Sequence, residues 1–370
     1  MRIVLSGGGT GGHVYPALSI MEEVRREQPG SEFLYIGTSS GLEKGIVAKA
    51  DPKLRFEAIE ISGFRRKLSL DNVRTVIRFL KGVGRAKKLL REFKPDVVIG
   101  TGGYVCGPVV YAAAKLGIPT MIHEQNVIPG LTNKFLSRYT DTVAVSFQGS
   151  EGKFPGAKRV VYTGNPRATT VVQADALKGL SSLGLPEGSR LVVAVGGSRG
   201  AKAVNEAVAA MAPLMAGLPD VQFLFVTGEP YYEATRQQIL AKGKTMPDNL
   251  LLVPYVHNMH EVLAATSLII SRAGASFLAE ITALGIPSLL IPSPNVTNNH
   301  QEANARWLEK ENAAKVILER DLNGTFLYAQ VERIMKDPGR HSIMSRNSAR
   351  MGNREAAGLF YSEMLKLASR

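Results

Sequence analysis

The 370-residue chain is long for a single core and is expected to form two domains; at 45% hydrophobic and 21% charged residues its composition is globular, not disordered. The single cysteine, Cys106, excludes an internal disulfide framework, and its apolar neighbours Val105 and Val109 mark it as a packing residue. The net charge of +13 is uneven: residues 1–163 hold 24 basic against 14 acidic side chains, and residues 64–88 set nine bases against Asp71 alone, which points to an anionic partner.

In chain order, short Val/Ile-rich runs predict strands at 2–6, 32–36, 55–61, 96–100, 119–123 and 142–146, with helices at 14–27, 70–92, 105–116 and 130–138. The second half repeats the alternation. Its strands are expected at 191–195, 221–226, 250–253, 267–271, 288–291 and 313–317, and its helices at 201–216, 231–242, 258–265, 274–284, 299–310 and 322–335. A last amphipathic helix is expected at 354–368. This order predicts an α/β fold of two Rossmann-like, doubly wound domains facing across a cleft. They are residues 1–163 and 164–340, divided at the turn Thr163-Gly164-Asn165-Pro166, with residues 341–370 returning to the first domain. Uncharged stretches are too short to span a bilayer and no signal peptide precedes the first strand, so a soluble cytoplasmic chain is expected.

Two glycine turns follow strands and open helices: Gly7-Gly8-Gly9-Thr10-Gly11-Gly12-His13 and Gly196-Gly197-Ser198-Arg199-Gly200. Such turns let main-chain N–H groups and the positive end of a helix face an anion. Gly7, Gly9 and Gly12 fit a dinucleotide fingerprint, but the next strand ends Tyr35-Ile36-Gly37-Thr38-Ser39 without the carboxylate that would hold a ribose, which argues against NAD or FAD. A merely structural tight turn is the other reading. His13 suits a general base, and equally a histidine that only hydrogen-bonds backbone. Thr101-Gly102-Gly103-Tyr104 adds a second turn in the same half, so a pocket for a pyrophosphate is expected there.

Gly196-x-Ser198-x-Gly200 also spells the nucleophile elbow of a serine hydrolase, with Asp220 or Asp248 and His257, His260 or His300 as formal partners. That reading leaves the first-half glycine turns without a purpose. Arg272-Ala273-Gly274-Ala275-Ser276 opens a helix whose N–H groups suit a diphosphate, and Glu280 lies roughly 9 Å further along, where a ribose would be. Gln301 and Asn304 are spaced i, i+3, paired amides suited to sugar hydroxyls. Phe64, Arg65, Arg66, Lys67 and Leu68 lead into a helix bearing Arg74, Arg78, Lys81, Arg85 and Lys88 as one stripe, with Val73, Ile77 and Leu80 expected on the adjacent face, toward the core. This patch suits an anionic membrane leaflet; nucleic acid ranks lower, because no nucleic-acid motif or aromatic interleaving accompanies it.

Together with His123-Glu124-Gln125-Asn126, Pro129-Gly130 and Gly164-Asn165-Pro166, these motifs run through nearly the whole chain, and in them the sequence resembles the MurG family of bacterial N-acetylglucosaminyltransferases. The resemblance implies a GT-B fold. It implies an inverting, metal-independent transfer of GlcNAc from UDP-GlcNAc to the C4 hydroxyl of MurNAc-pentapeptide on undecaprenyl diphosphate (lipid I), giving lipid II and UDP in peptidoglycan synthesis. His13 is then the catalytic base, with Glu124 the other candidate. Donor contacts carry over to Thr10, Gly11, Gly12, Asn126, Arg167, Ser198, Val256 through its backbone, Gly274, Ala275, Ser276, Glu280, Gln301 and Asn304. Arg167 follows Pro166 directly, one position earlier than in some family members. Gly9, Gly102, Gly103 and Tyr104 are implied as the cradle of the acceptor diphosphate. No cofactor is implied, UDP-GlcNAc being a substrate. The implied partners are lipid I, the anionic leaflet at the cytoplasmic face of the bacterial membrane, where the enzyme is peripheral, and other cell-wall synthesis proteins, with no nucleic acid. The residues by themselves fit a transferase acting on another lipid, such as a diacylglycerol, just as well.

Overall fold

The computed structural model describes residues 1–63, 70–243 and 245–369, and the side chains of residues 70–74 also fall outside the description. In the first half, seven strands alternate with helices: β1 (Arg2–Ser6), α1 (Gly11–Glu27), β2 (Glu32–Gly37), α2 (Leu42–Ala50), β3 (Arg55–Ala58), α3 (Leu70–Phe93), β4 (Val97–Gly100), α4 (Cys106–Lys115), β5 (Thr120–Glu124), α5 (Leu131–Leu136), β6 (Thr142–Val145) and β7 (Val160–Tyr162). The short helices α6 (Arg167–Val172) and α7 (Ala176–Ser182) lead into the second half. There follow β8 (Arg190–Val195), α8 (Lys202–Met211), β9 (Val221–Val226), α9 (Tyr232–Gly243), β10 (Leu250–Val253), α10 (Met259–Ala264), β11 (Thr266–Ser271), α11 (Ala275–Leu284), β12 (Ser288–Leu290), α12 (His300–Lys310), β13 (Ala314–Val316) and α13 (Gly324–Met335). Two further helices, α14 (Pro338–Met351) and α15 (Ala356–Ala368), end the chain.

Both sheets are parallel throughout. The first has the order β3-β2-β1-β4-β5-β6-β7 and the second β10-β9-β8-β11-β12-β13. In each, the chain winds outward one way from a central strand and then jumps to that strand's other side. The switch lies between β1 and β4, where Leu5 pairs with Ile99, and between β8 and β11, where Val193 pairs with Ile269. Loops leaving the two strands of a switch diverge to opposite faces and open a crevice at the carboxyl edge of the sheet. Both glycine turns of the sequence stand at such an edge.

The central strands are buried on both faces, as a helix-covered parallel sheet requires. Ile3 and Leu5 point into one core layer with Val14 and Leu18 of α1 and Phe360 of α15, while Val4 between them joins the opposite layer with Val83 of α3 and Val109 of α4. In the second half Val192, Ala194, Phe223 and Phe225 pack with Val204 and Val208 of α8 and Leu327 of α13.

The chain divides into two compact units, Met1–Arg167 with Glu355–Arg370, and Ala168–Arg354. The return to the first unit therefore begins later than residue 341. Helix α14 stays with the second unit, where Ser345 Oγ and Ser348 Oγ donate to the Gly285 and Ile286 carbonyls at 2.8 and 3.1 Å, and only α15 packs on the first sheet's α1 side.

A second expectation is corrected on α3. Ile77 and Leu80 do not face the core but are 49% and 63% exposed. The buried face of the helix runs instead through Thr75, Val83, Ala86, Leu89, Leu90 and Phe93. Gly82 allows this face to approach α4 closely, since a Cβ there would stand 3.3 Å from Pro108.

Candidate active site

In the first unit the turns after β1 and β4 meet backbone to backbone. Gly8 N donates to Gly102 O at 3.3 Å, and a Cβ on Gly103 would lie 2.1 Å from Gly8 O. Gly103 is also held at φ +79°, so glycine is needed there twice over. Helix α1 begins at Gly11, three residues earlier than expected, and its first turn, which includes Gly12 and His13, carries no acidic side chain. Thr10 is the extended N-cap, and its hydroxyl lies 3.2 Å from His13 Nδ1 instead of capping the main chain.

His13 is fixed at both ends. Its carbonyl accepts from Thr101 Oγ1 at 2.6 Å, and its Nδ1 lies 2.9 Å from Gly8 O. A carbonyl can only accept, so Nδ1 is the donor to Gly8, and a neutral ring in this tautomer has its lone pair on Nε2. Backbone bonding and a role as base, the two alternatives for this residue, are thus compatible. The ring lies over Gly102, where a Cβ would stand 2.8 Å from Cδ2. Tyr104 leans on the turn from the other side, its ring 3.3 Å from where a Cβ on Gly9 would be; burial, then the nearby Glu43 carboxylate, raises its phenol pKa.

Glu124 closes β5 in a different way. It is buried, and its carboxylate accepts four hydrogen bonds, from Asn126 N and Nδ2 on one oxygen and from Gly130 N and Asn133 Nδ2 on the other, at 2.9–3.2 Å. It orients Asn126 and folds the 124–130 loop; as a proton acceptor for a substrate it would first have to give up these donors. Beside it, buried His123 receives Gln125 Nε2 on Nδ1 at 3.0 Å, and its Nε2 lies 3.1 Å from Gly164 O. Burial lowers its pKa to about 4 and keeps the ring neutral. Arg167 begins α6 with its guanidinium over the Tyr15 ring of α1, 5.4 Å from the centroid.

Sequence reasoning missed Glu43, on a helix that was not foreseen. This fully buried carboxylate accepts from Thr38 N at 2.9 Å and from Gly9 N at 3.3 Å, and so braces the glycine turn from behind. Its one signal was an acidic residue just after Gly41, at the start of a helix.

In the second unit the carboxyl edge carries the remaining candidates. Ser198 lies in the turn after β8, where Gly200 at φ +74° passes so close to Thr227 that a Cβ would stand 1.9 Å from its carbonyl oxygen. Gly274 caps α11 without a side-chain hydrogen bond, a Cβ on it would meet open space, and the first turn (Ala275, Ser276) holds no carboxylate. That is a helix N-terminus without a side-chain cap, the arrangement that receives an anion. Arg272 next to it is already engaged, by Ile291 O at 3.0 Å and by Glu319. Glu280 is nearly buried on α11, and Val256, also buried, follows β10.

The expected amide pair separates. Gln301 is half-buried and accepts from Ser293 N at 2.9 Å, whereas Asn304 is fully buried and donates to Ala273 O at 3.2 Å. Asn304 thereby holds the β11–α11 loop at Ala273.

The serine hydrolase alternative fails on topology. Asp220 precedes β9 and Asp248 precedes β10, whose first residue Leu250 pairs with Phe223. Both acids stand at the amino edge of the sheet. Ser198 stands at the carboxyl edge, roughly 20 Å away for a six-residue strand.

Residues 64–68 of the basic patch and the Arg74 side chain lie outside the described residues. Arg78, Lys81, Arg85 and Lys88 are exposed on α3, Arg85 pairing with Glu57 at 3.2 Å and Lys88 with Glu92 at 3.9 Å. Among the described residues no helix is long and apolar enough to cross a membrane, and no group of three or more His, Cys, Asp or Glu side chains could hold a metal ion.

Two parallel sheets, each with a crevice at its switch of strand order, make up the GT-B fold, and the class of protein is a glycosyltransferase that uses a nucleotide sugar. Residues 3–145 match the glycosyltransferase family 28 N-terminal domain and residues 191–360 its C-terminal domain. The chain is 51% identical over all 370 residues, 100% of both chains, to a Bacillus thuringiensis protein named UDP-N-acetylglucosamine–N-acetylmuramyl-(pentapeptide) pyrophosphoryl-undecaprenol N-acetylglucosamine transferase 2. A Listeria monocytogenes transferase of the same name, without the number, is 52% identical over 367 residues, 99% of both chains. The crystal structure of Acinetobacter baumannii MurG superposes with a TM-score of 0.78 at 28% identity, covering 99% of each chain. A UDP-GlcNAc 2-epimerase from Neisseria meningitidis shares only the fold, with a TM-score of 0.70 at 12% identity over 99% of this chain and 100% of that one. The chain belongs to glycosyltransferase family 28 and, within it, to the MurG family.

Proposed function

We propose that the enzyme transfers GlcNAc from UDP-GlcNAc to the C4 hydroxyl of the MurNAc-pentapeptide of lipid I, with inversion, giving lipid II and UDP. The observation that carries the mechanism is the contact of His13 Nδ1 with Gly8 O, which favours the tautomer with its lone pair on Nε2. Nε2 takes the proton of the C4 hydroxyl as its oxygen bonds to the anomeric carbon of GlcNAc. The bond from that carbon to the diphosphate oxygen breaks, and UDP leaves with the electron pair. Charge developing on the leaving diphosphate is met by the N-terminus of α11 at Gly274, Ala275 and Ser276, a fixed dipole that needs no reorganisation. In this reading that helix end does the work a metal ion does elsewhere.

The donor is further held by Glu280 at the ribose, the Val256 backbone at the uracil, Ser198 near the phosphates and Gln301 at the sugar, with Asn304 as the support behind α11. Thr10, Gly11, Gly12, Asn126 and Arg167 serve the donor sugar and acceptor from the first unit, and Glu124 is the residue that positions Asn126. The turn at Gly9, Gly102, Gly103 and Tyr104 cradles the acceptor diphosphate. Ile77 and Leu80, flanked by Arg78 and Lys81, give α3 an apolar and cationic face suited to an anionic leaflet, which supports a peripheral enzyme at the cytoplasmic face of the membrane, where other cell-wall synthesis proteins would meet it.

The nucleotide assignment is tested by titrating UDP-GlcNAc into Glu280→Ala. Loss of a charge-assisted hydrogen bond to the ribose predicts roughly tenfold to hundredfold weaker binding, with the fold retained by circular dichroism. Undiminished affinity would remove Glu280 from the donor site.

A further inference from the structure

We infer that an apolar pocket beside Tyr104 receives the isoprenoid segment joined to the diphosphate of the lipid-linked acceptor, an inference that rests on the acceptor reading above. The pocket has a volume of about 350 Å³ and is walled by Ile61, Val76, Phe79, Tyr104, Leu131 and Phe135. That is within the range of small-ligand clefts, roughly 300–1,000 Å³. It forms where α3, the start of α4 and α5 converge. Phe79 and Phe135 meet edge to face at 5.9 Å, and Gly107 leaves the floor open, since a Cβ there would already touch Phe79 and Thr132 at 3.5 Å. Val76, Tyr104, Leu131 and Phe135 are each more than a third exposed, at 46%, 37%, 67% and 39%. Large apolar side chains scattered singly over a surface need no explanation, but four gathered round one cavity mark a binding surface.

Two features choose the occupant. Tyr104 belongs to both the pocket wall and the glycine turn, where its ring lies 3.3 Å from the position of a Cβ on Gly9. A diphosphate held by the turn has its outer ester oxygen next to that ring, and in a polyprenyl diphosphate the atom bonded to this oxygen begins a branched, wholly apolar chain. The exposed face of α3 beside the pocket carries Ile77, Arg78, Leu80 and Lys81, so a chain leaving the pocket continues along a surface suited to an anionic bilayer. A nucleotide or a free sugar diphosphate would leave the pocket empty. A bilayer acyl chain has no diphosphate to set beside Tyr104.

The test uses the full-length enzyme without vesicles, and MurNAc-pentapeptide diphosphates esterified with a methyl group, one isoprenoid unit or two. Wild type is expected to gain on the order of tenfold or more in kcat/KM from the methyl ester to the two-unit ester. Val76→Asp and Leu131→Asp, both at exposed positions, should lose that gain while turning over the methyl ester as wild type does. A wild-type rate indifferent to chain length overturns the pocket without any variant, as does an undiminished gain in both variants. A gain that appears only when vesicles are added assigns the pocket to bilayer lipid and overturns it too. Absence of UDP release with every acceptor, the methyl ester included, overturns the acceptor reading itself.

Discussion

In the proposed reaction His13 is a base oriented by main chain. Its orienting partner is Gly8 O, whose carbonyl dipole would also stabilise the imidazolium that the proposed step forms. General base catalysis contributes about 10²- to 10⁴-fold, so His13→Ala should lower kcat by that factor and leave UDP-GlcNAc affinity unchanged. Turnover within a factor of a few of wild type would show that another group takes the proton. His123 is the opposite case, a histidine used for structure. Its folded pKa of about 4 lies below the ordinary 6.5, so between these values the unfolded chain binds the extra proton and the folded chain does not. Stability from this group is complete above pH 6.5 and is lost as pH falls toward 4, by about 2 kcal/mol between pH 6.5 and 5. Denaturant midpoints of His123→Gln should therefore fall less steeply than those of wild type over that interval; identical slopes would contradict a neutral buried ring.

Among the elements, α3 makes the sharpest separate prediction. Each basic residue near an anionic surface is worth about 1 kcal/mol, so replacing Arg78 and Lys81 together by Ala should weaken binding to phosphatidylglycerol vesicles roughly thirtyfold at low salt. Vesicle binding that is unchanged would detach this helix from the membrane. The same helix marks a limit of sequence reading. Its periodicity revealed an apolar face containing Ile77 and Leu80 but could not say whether protein covers it, and a neighbouring face, with Gly82 against Pro108, is the one turned inward. Helix α2 was illegible for a related reason. Besides Val47 in the core it is held by the buried Glu43 carboxylate receiving loop N–H groups, and its nine residues are too few for an apolar rhythm to stand out. The helix at Gly274 was legible, because a strand followed by glycine and small residues prescribes an uncapped N-terminus. Asn304 shared its helical face with Gln301 as the spacing required, yet only packing decides which of two neighbours on a face is buried.

Across the whole molecule, the strand–helix alternation foretold two parallel sheets, and each unit places its glycine turns at the switch of strand order, β1/β4 in one and β8/β11 in the other. The most direct test is UDP release from UDP-GlcNAc, with and without a lipid I analogue, in buffer containing a metal chelator and with UDP-glucose as the competing donor. The account predicts release that needs both UDP-GlcNAc and the analogue, persists in chelator and falls sharply with UDP-glucose. Release that stops in chelator, or that proceeds equally without the lipid I analogue, would contradict it.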